Sequence, residues 1–122
     1  MKLYLAGPMT GYPRWNFDAF AEATAQLRAA GYEVVSPAEE DLKRGFDPDA
    51  PVEDFSLEDL REAMRRDVAH LFEVDAVALL PGWLNSRGAL AESYLADALH
   101  LVNAEIDHFL GYAYYYNRKA DS

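Results

Sequence analysis

One run of six residues, DAVALL from Asp75 to Leu80, constrains the fold more than any other stretch of this sequence. Five apolar side chains follow the aspartate without a break, so a strand here has no polar face to turn towards water. Such strands are typical of parallel sheets covered by helices on both faces. Shorter runs at Lys2–Ala6 and Tyr32–Ser36 predict two more buried strands, and a last strand is predicted around Ala104 to Phe109.

Three segments with helical periodicity separate these strands. The first helix should begin after Asn16, which suits an N-cap, and end at Gly31. The second should run from Leu57 to about Phe72 behind a capping box formed by Ser56 and Asp59. The third is predicted from Arg87 to Leu101.

The order β-α-β-loop-α-β-α-β predicts one α/β domain over residues 1–122, with a Rossmann or flavodoxin-like parallel sheet of about four to five strands and helices on both faces. In a flavodoxin-like order, the first and third strands are neighbours at the topological switch point. Ligands bind there, outside the carboxyl ends of the strands. We therefore expect GPMTG (7–11) and PGWLNSRG (81–88) to border one pocket.

Two segments have no clear secondary-structure pattern. Residues 37–56 are rich in proline and acidic side chains, which indicates a lid, a binding loop or a solvated loop. The tail, residues 112–122, contains the run YAYYY and is an alternative candidate for a role in assembly.

Composition excludes several classes of function. The net charge of −10 disfavours a nucleic-acid polymer or an anionic membrane as partner. The chain has no cysteine, which excludes disulfides, thiolate metal sites and a cysteine nucleophile. No apolar run reaches the roughly 20 residues of a membrane span, and no signal peptide is evident, so we expect a cytoplasmic protein.

The start of the third helix holds the tightest cluster of reactive groups. Ser86 is placed to cap the helix and Gly88 leaves its first turn open, which suits a phosphate or a sugar hydroxyl. Glu92 lies one turn beyond Gly88 on the same face. It is either a catalytic carboxylate or a solvated surface residue.

Asp67 is a second unusual carboxylate, because it interrupts an apolar stripe with Leu60, Met64 and Leu71. A buried unpaired charge is very costly, so Asp67 must be hydrogen-bonded, paired for instance with Arg87, or face a cavity. The three histidines show no metal-ligand spacing, and the nucleotide-binding glycine motifs are missing. We expect neither a metal nor a cofactor.

Three stretches together resemble the nucleoside 2-deoxyribosyltransferase superfamily: LYLAGPMTG, RRDVAHLFEVDAVALLPGW and SRGALAE. The resemblance spans roughly Lys2 to Leu101. It is strongest to a small branch of phage and bacterial proteins of unknown function, and the superfamily also contains nucleoside 5′-monophosphate N-glycosidases. It implies a Rossmann-like fold and a homodimer or larger homo-oligomer, in a bacterial or phage-infected cell.

The resemblance also implies roles for individual residues. Glu92 matches the glutamate nucleophile, Asp67 the aspartate that handles the sugar or the base proton, and Tyr4 the tyrosine that orients the nucleophile. The expected substrate-binding residues are Gly7, Pro8, Met9, Thr10, Trp83, Ser86, Arg87 and Gly88. Pro8 and Thr10 stand where nucleotide hydrolases tend to carry serine and arginine.

The activity implied is cleavage of an N-glycosidic bond in a nucleoside or nucleoside 5′-monophosphate, by an N-glycosidase or a deoxyribosyltransferase. A glutamate suits this reaction, because an ionised carboxylate stabilises an oxocarbenium-like transition state. An alternative is a protein that binds or sequesters a nucleotide without catalysis.

Overall fold

The computed structural model describes residues 1–111 and contains a four-stranded parallel sheet in the order β2-β1-β3-β4. This confirms the predicted Rossmann-like α/β fold. The strands are β1 (Lys2–Ala6), β2 (Glu33–Val35), β3 (Ala76–Leu79) and β4 (Val102–Glu105). The helices are α1 (Phe17–Ala29), α2 (Pro37–Lys43), α3 (Leu57–His70) and α4 (Arg87–Ala98).

The sheet separates two hydrophobic cores. Side chains alternate along a strand, so β1 contributes Leu3 and Leu5 to one core and Tyr4 and Ala6 to the other. The first core lies against α1, where Phe20 is fully buried. The second lies against α4 and the end of α3. Both faces of the central strands are thereby covered, as their apolar sequences predict.

The pairing of β1 with β3 lies at the centre of the sheet. Leu3 pairs with Ala76, and Ala6 pairs with Leu79. The Leu80 amide donates to the Ala6 carbonyl at 2.8 Å, which carries the pairing one residue past β3. Because the strands are parallel, the two loops that follow them leave the sheet at the same edge.

The helices largely begin and end near the predicted residues. The Ser56–Asp59 capping box is confirmed, because each side chain accepts a hydrogen bond from the other residue's backbone amide. The third predicted helix, α4, is shorter than expected. It ends at Ala98 rather than Leu101, and His100 takes a left-handed conformation with φ 60°.

The interpretation of residues 37–56 as a loop is wrong for its first part, which forms α2. Ser36 caps this helix by accepting a hydrogen bond from the Glu39 amide, and Pro37 fits its first turn. A second short helical turn covers Val52–Asp54.

Two other predictions need correction. The last strand is Val102–Glu105 and not Ala104 to Phe109, because the chain turns helical over residues 106–111. Asn16 precedes α1 but does not cap it. Its backbone is left-handed, and its side-chain amide donates instead to the Pro8 carbonyl at 2.9 Å. The aromatic tail, residues 112–122, lies outside the described residues.

Across residues 1–111, none of the helices combines the length and the apolar composition that a bilayer crossing requires.

The closeness of β1 and β3 gives a first prediction, for Gly7→Ala. A methyl group at Gly7 would come within 2.7 Å of Leu80 Cβ, which is closer than two carbon atoms can pack. We expect the substitution to lower the free energy of unfolding by about 1–3 kcal/mol, measured by urea denaturation.

The control is Gly111→Ala, where an added methyl group meets nothing within 4 Å. Its free energy of unfolding should change by less than about 0.5 kcal/mol. Equal stability of Gly7→Ala and the unsubstituted protein would contradict the close packing of these two strands.

Candidate active site

The candidate site is a cavity at the carboxyl ends of β1 and β3. This inner cavity has a volume of about 110 Å³, and it adjoins an outer cleft of about 530 Å³. The two share walls that include Thr10, Ser86 and Gly88. Ligand pockets are commonly about 300–1,000 Å³, so a ligand larger than one small ring would occupy both spaces.

Glu92 is buried, and one of its carboxyl oxygens has no partner. The residue is 6% exposed and lines the inner cavity from α4. Within the described residues, no hydrogen bond reaches its Oε2 atom. Burial raises the pKa of Glu92 from 4.5 to about 8. The alternative of a solvated surface glutamate is therefore wrong.

Tyr4 lies beneath Glu92 on the central strand and is completely buried. Its hydroxyl partly offsets the effect of burial on the pKa of Glu92, so the two groups are close neighbours. The contact falls short of a hydrogen bond, because the Tyr4 hydroxyl has no partner of acceptable geometry in the part of the chain described. The Tyr4 ring stacks on His70, with ring centroids 6.2 Å apart.

Asp67 faces the inner cavity, which explains its place on an apolar stripe. Leu60, Ala63 and Met64 line the same cavity from α3, so the face of the helix that looked like a core stripe borders empty space. Burial, and then the charge of Asp41, raise the pKa of Asp67 from 3.8 to about 7. Of the options left open by the sequence, the cavity-facing one is confirmed.

An aromatic wall formed by Trp15, Phe46 and Phe55 closes one side of the inner cavity. The three rings meet edge to face, with centroids 5.0 to 6.0 Å apart. Trp15 reaches this position from a turn in which it and both of its neighbours have positive φ angles, between 51° and 62°. Such backbone is costly for non-glycine residues and is found preferentially at functional sites.

The structure brings most of the predicted site residues together. Seven of them line the inner cavity: Gly7, Met9, Thr10, Asp67, Ser86, Gly88 and Glu92. Pro8 and Arg87 line the outer cleft instead. Trp83 lies outside both spaces, where its indole N–H donates to Glu105 Oε1 at 3.4 Å.

Two features of the site were not predicted from the sequence: the aromatic wall, and Asp41, which comes from α2 and lines the inner cavity. One signal could have revealed Asp41. Ser36, Pro37 and Glu39 form a typical helix start. Asp41 lies three residues beyond the buried Ala38, so it would then share the inward face of that helix.

No group of three or more acidic or histidine side chains within residues 1–111 is arranged to hold a metal ion. The polar groups that line the inner cavity are carboxyl groups, hydroxyl groups and the N-terminal turn of α4.

Residues 1–103 match the family described as "Domain of unknown function (DUF4406)". The chain belongs to this family. Among solved structures, it is similar to a 2-deoxyribosyltransferase from the psychrotolerant bacterium Bacillus psychrosaccharolyticus, with a TM-score of 0.60 and 23% sequence identity. The match covers 84% of this chain and 69% of that chain. At this identity the likeness shows a common fold. No curated protein matches the sequence.

The buried carboxyl of Glu92 gives a prediction about stability. The folded protein keeps the proton of Glu92 up to about pH 8, whereas an unfolded chain releases it near 4.5. Folding therefore takes up a proton between these pH values, and stability falls as the pH rises through that window. Glu92→Gln removes this effect, because the amide stays neutral at every pH.

We expect Glu92→Gln to be more stable than the unsubstituted protein at about pH 8.5, by an amount on the order of a few kcal/mol. The gain should shrink towards zero at about pH 5, where both side chains are neutral. Urea denaturation at the two pH values measures it. A difference in stability that does not change with pH would contradict the raised pKa.

Proposed function

We propose that this protein cleaves the N-glycosidic bond of a nucleoside or nucleoside 5′-monophosphate, as an N-glycosidase or a deoxyribosyltransferase. The observation that carries the proposal is the buried carboxyl of Glu92, which faces a cavity with one oxygen unpartnered. A buried polar group without a partner is costly to keep. A sugar bound in the cavity that Glu92 lines would lie beside this carboxyl group.

The proposed reaction uses two carboxyl groups of the inner cavity. In its ionised form, Glu92 attacks the anomeric carbon of the sugar as the bond from that carbon to the base breaks. The electron pair of the broken bond goes to the base, and Asp67 supplies a proton to it. Water in a hydrolase, or a second base in a transferase, then attacks the same carbon, and the bond from that carbon to Glu92 breaks. The ionised Asp67 takes up the proton that the incoming group loses.

The surroundings of Glu92 support this division of roles. Tyr4 opposes the effect of burial on the pKa of Glu92, so it favours the ionised form that the attack requires. The aromatic wall offers flat apolar rings to a planar base. The N-terminal turn of α4 is open at Gly88, so its amide groups and dipole suit the hydroxyl or phosphate end of the sugar. The similar 2-deoxyribosyltransferase shares the fold on which these groups are placed.

The first test of the function is Glu92→Gln, assayed by chromatographic release of free base from a panel of nucleosides and 5′-monophosphates. We expect kcat/KM to fall by roughly 10³-fold or more, because the amide cannot act as the nucleophile. The matched control is Glu22→Gln on the exposed side of α1, which should keep full activity. Equal release of base by Glu92→Gln and the unsubstituted protein would rule out the mechanism.

The pH dependence of kcat/KM is a second test. Glu92 must be ionised and loses its proton at a pKa of about 8, whereas Asp67 must be protonated and holds its proton up to a pKa of about 7. The active form, with Glu92 ionised and Asp67 protonated, is therefore a minor fraction of the protein. Its population is highest at a pH between the two pKa values. We expect a bell-shaped profile with its maximum near pH 7.5, and a loss of its alkaline side in Asp67→Asn. A value of kcat/KM that keeps increasing as the pH is lowered below 6 would contradict these roles.

The second candidate function is a protein that binds a nucleotide without cleaving it. The raised pKa of Glu92 favours it, because a glutamate with a pKa of about 8 is mostly neutral and non-nucleophilic at pH 7. Calorimetric binding of a nucleoside or nucleotide with no release of base over the same panel would support this function. Turnover would exclude it as the main role.

A further inference from the structure

Asp41 lines the inner cavity but takes no part in bond cleavage as proposed above. Its side chain is 17% exposed, so it is largely withdrawn from solvent and faces the space shared with Asp67 and Glu92. The sequence of the helix explains how it arrives there. Pro37 and Ala38 bury one side of α2 against the first core, and Asp41 follows on that side one turn later.

Arg66 forms an ion pair with Asp41 but does not occupy the hydrogen-bond acceptors of the Asp41 carboxylate. Arg66 Nη2 lies 4.0 Å from Asp41 Oδ1, which is an ion-pair distance but too long for a hydrogen bond. An ionised carboxylate can accept about four hydrogen bonds. The Asp41 oxygens therefore remain available to a donor that enters the cavity.

At its place in the inner cavity, Asp41 therefore favours a ligand that donates hydrogen bonds. The other two carboxyl groups of the cavity, Asp67 and Glu92, serve the proposed cleavage, and its side-chain hydroxyls come from Thr10 and Ser86. Ser86 Oγ already accepts from the Ala89 amide. A ligand edge made of amino or ring N–H groups would find acceptors here. A carbonyl oxygen placed against Asp41 would meet another acceptor and lose its hydrogen bonds to water.

We propose that Asp41 selects the base, accepting a hydrogen bond from an exocyclic amino group, so that the site prefers amino-bearing bases such as cytosine and adenine to their carbonyl counterparts uracil and hypoxanthine. This inference rests on the proposed function, since it assigns the inner cavity to the base. It adds a substrate class, which neither the cleavage chemistry nor the aromatic wall specifies. Burial raises the pKa of Asp41, and the charge of Arg66 opposes that rise, so Arg66 acts as a positioning residue that favours the ionised form of Asp41.

The experiment compares matched pairs of substrates: cytidine with uridine, adenosine with inosine, and the corresponding 2′-deoxynucleosides. For the unsubstituted protein we expect kcat/KM to be about tenfold or more higher for the amino-bearing member of each pair. Asp41→Asn should bring the ratio close to one, because an amide can rotate to donate to a carbonyl or accept from an amino group.

The matched control is Glu40→Gln, which makes the same change of charge on the neighbouring residue of α2. Glu40 pairs with Lys43 at 3.6 Å, and it is not among the residues that line the inner cavity. Its preference for amino-bearing bases should equal that of the unsubstituted protein. Circular dichroism of each variant checks that it is folded.

Equal kcat/KM for both members of each pair would overturn the inference while leaving the proposed function intact. An unchanged preference in Asp41→Asn would overturn it as well. If no nucleoside is cleaved, the proposed function fails, and calorimetric binding of free cytosine and uracil provides the comparison without turnover. The inference then stands only if cytosine binds about tenfold more tightly and Asp41→Asn removes the difference.

Discussion

The pairing of β1 with β3 is the constraint on which the candidate site depends. Only when these strands are neighbours do the loop after β1 and the start of α4 border the same space. The pairing also fixes Tyr4 on the face of the sheet that α4 covers, beneath Glu92. A sheet with another strand order would keep the same local sequence motifs and separate the groups they carry.

The helices α1 and α3 differ in what their inward faces contact. α1 buries Phe20 and Leu27 completely in the first core. On the opposite face, α3 has no fully buried residue, although it has a regular capping box and an apolar stripe. Part of that stripe borders the inner cavity instead of packing on the sheet. α3 therefore contributes little fully buried apolar surface, and its inward face places Asp67 beside the cavity.

Sequence patterns predicted the elements whose signals are local and strong, and failed where packing decides. The run DAVALL and the capping box at Ser56 were sufficient to place β3 and α3. The left-handed turn around Trp15 has no comparable signal, because its conformation is held by contacts with Phe46 and Phe55, which are distant in sequence. The burial of Glu92 was ambiguous for the same reason. Its helix has small residues on one face, and only the strand order shows that this face turns towards the sheet.

The charge distribution favours a neutral nucleoside as the ligand of the proposed site over a nucleoside 5′-monophosphate. The protein carries a net charge of −10, and the described residues that line the inner cavity include no lysine or arginine. A phosphate would have to lie in the outer cleft, where Arg87 is the one cation among the described lining residues. Arg87 is exposed, so water and salt weaken its attraction for an anion. The N-terminal turn of α4 adds only partial charges. A sugar hydroxyl needs no such compensation, and the open turn at Gly88 can bind it with neutral hydrogen bonds.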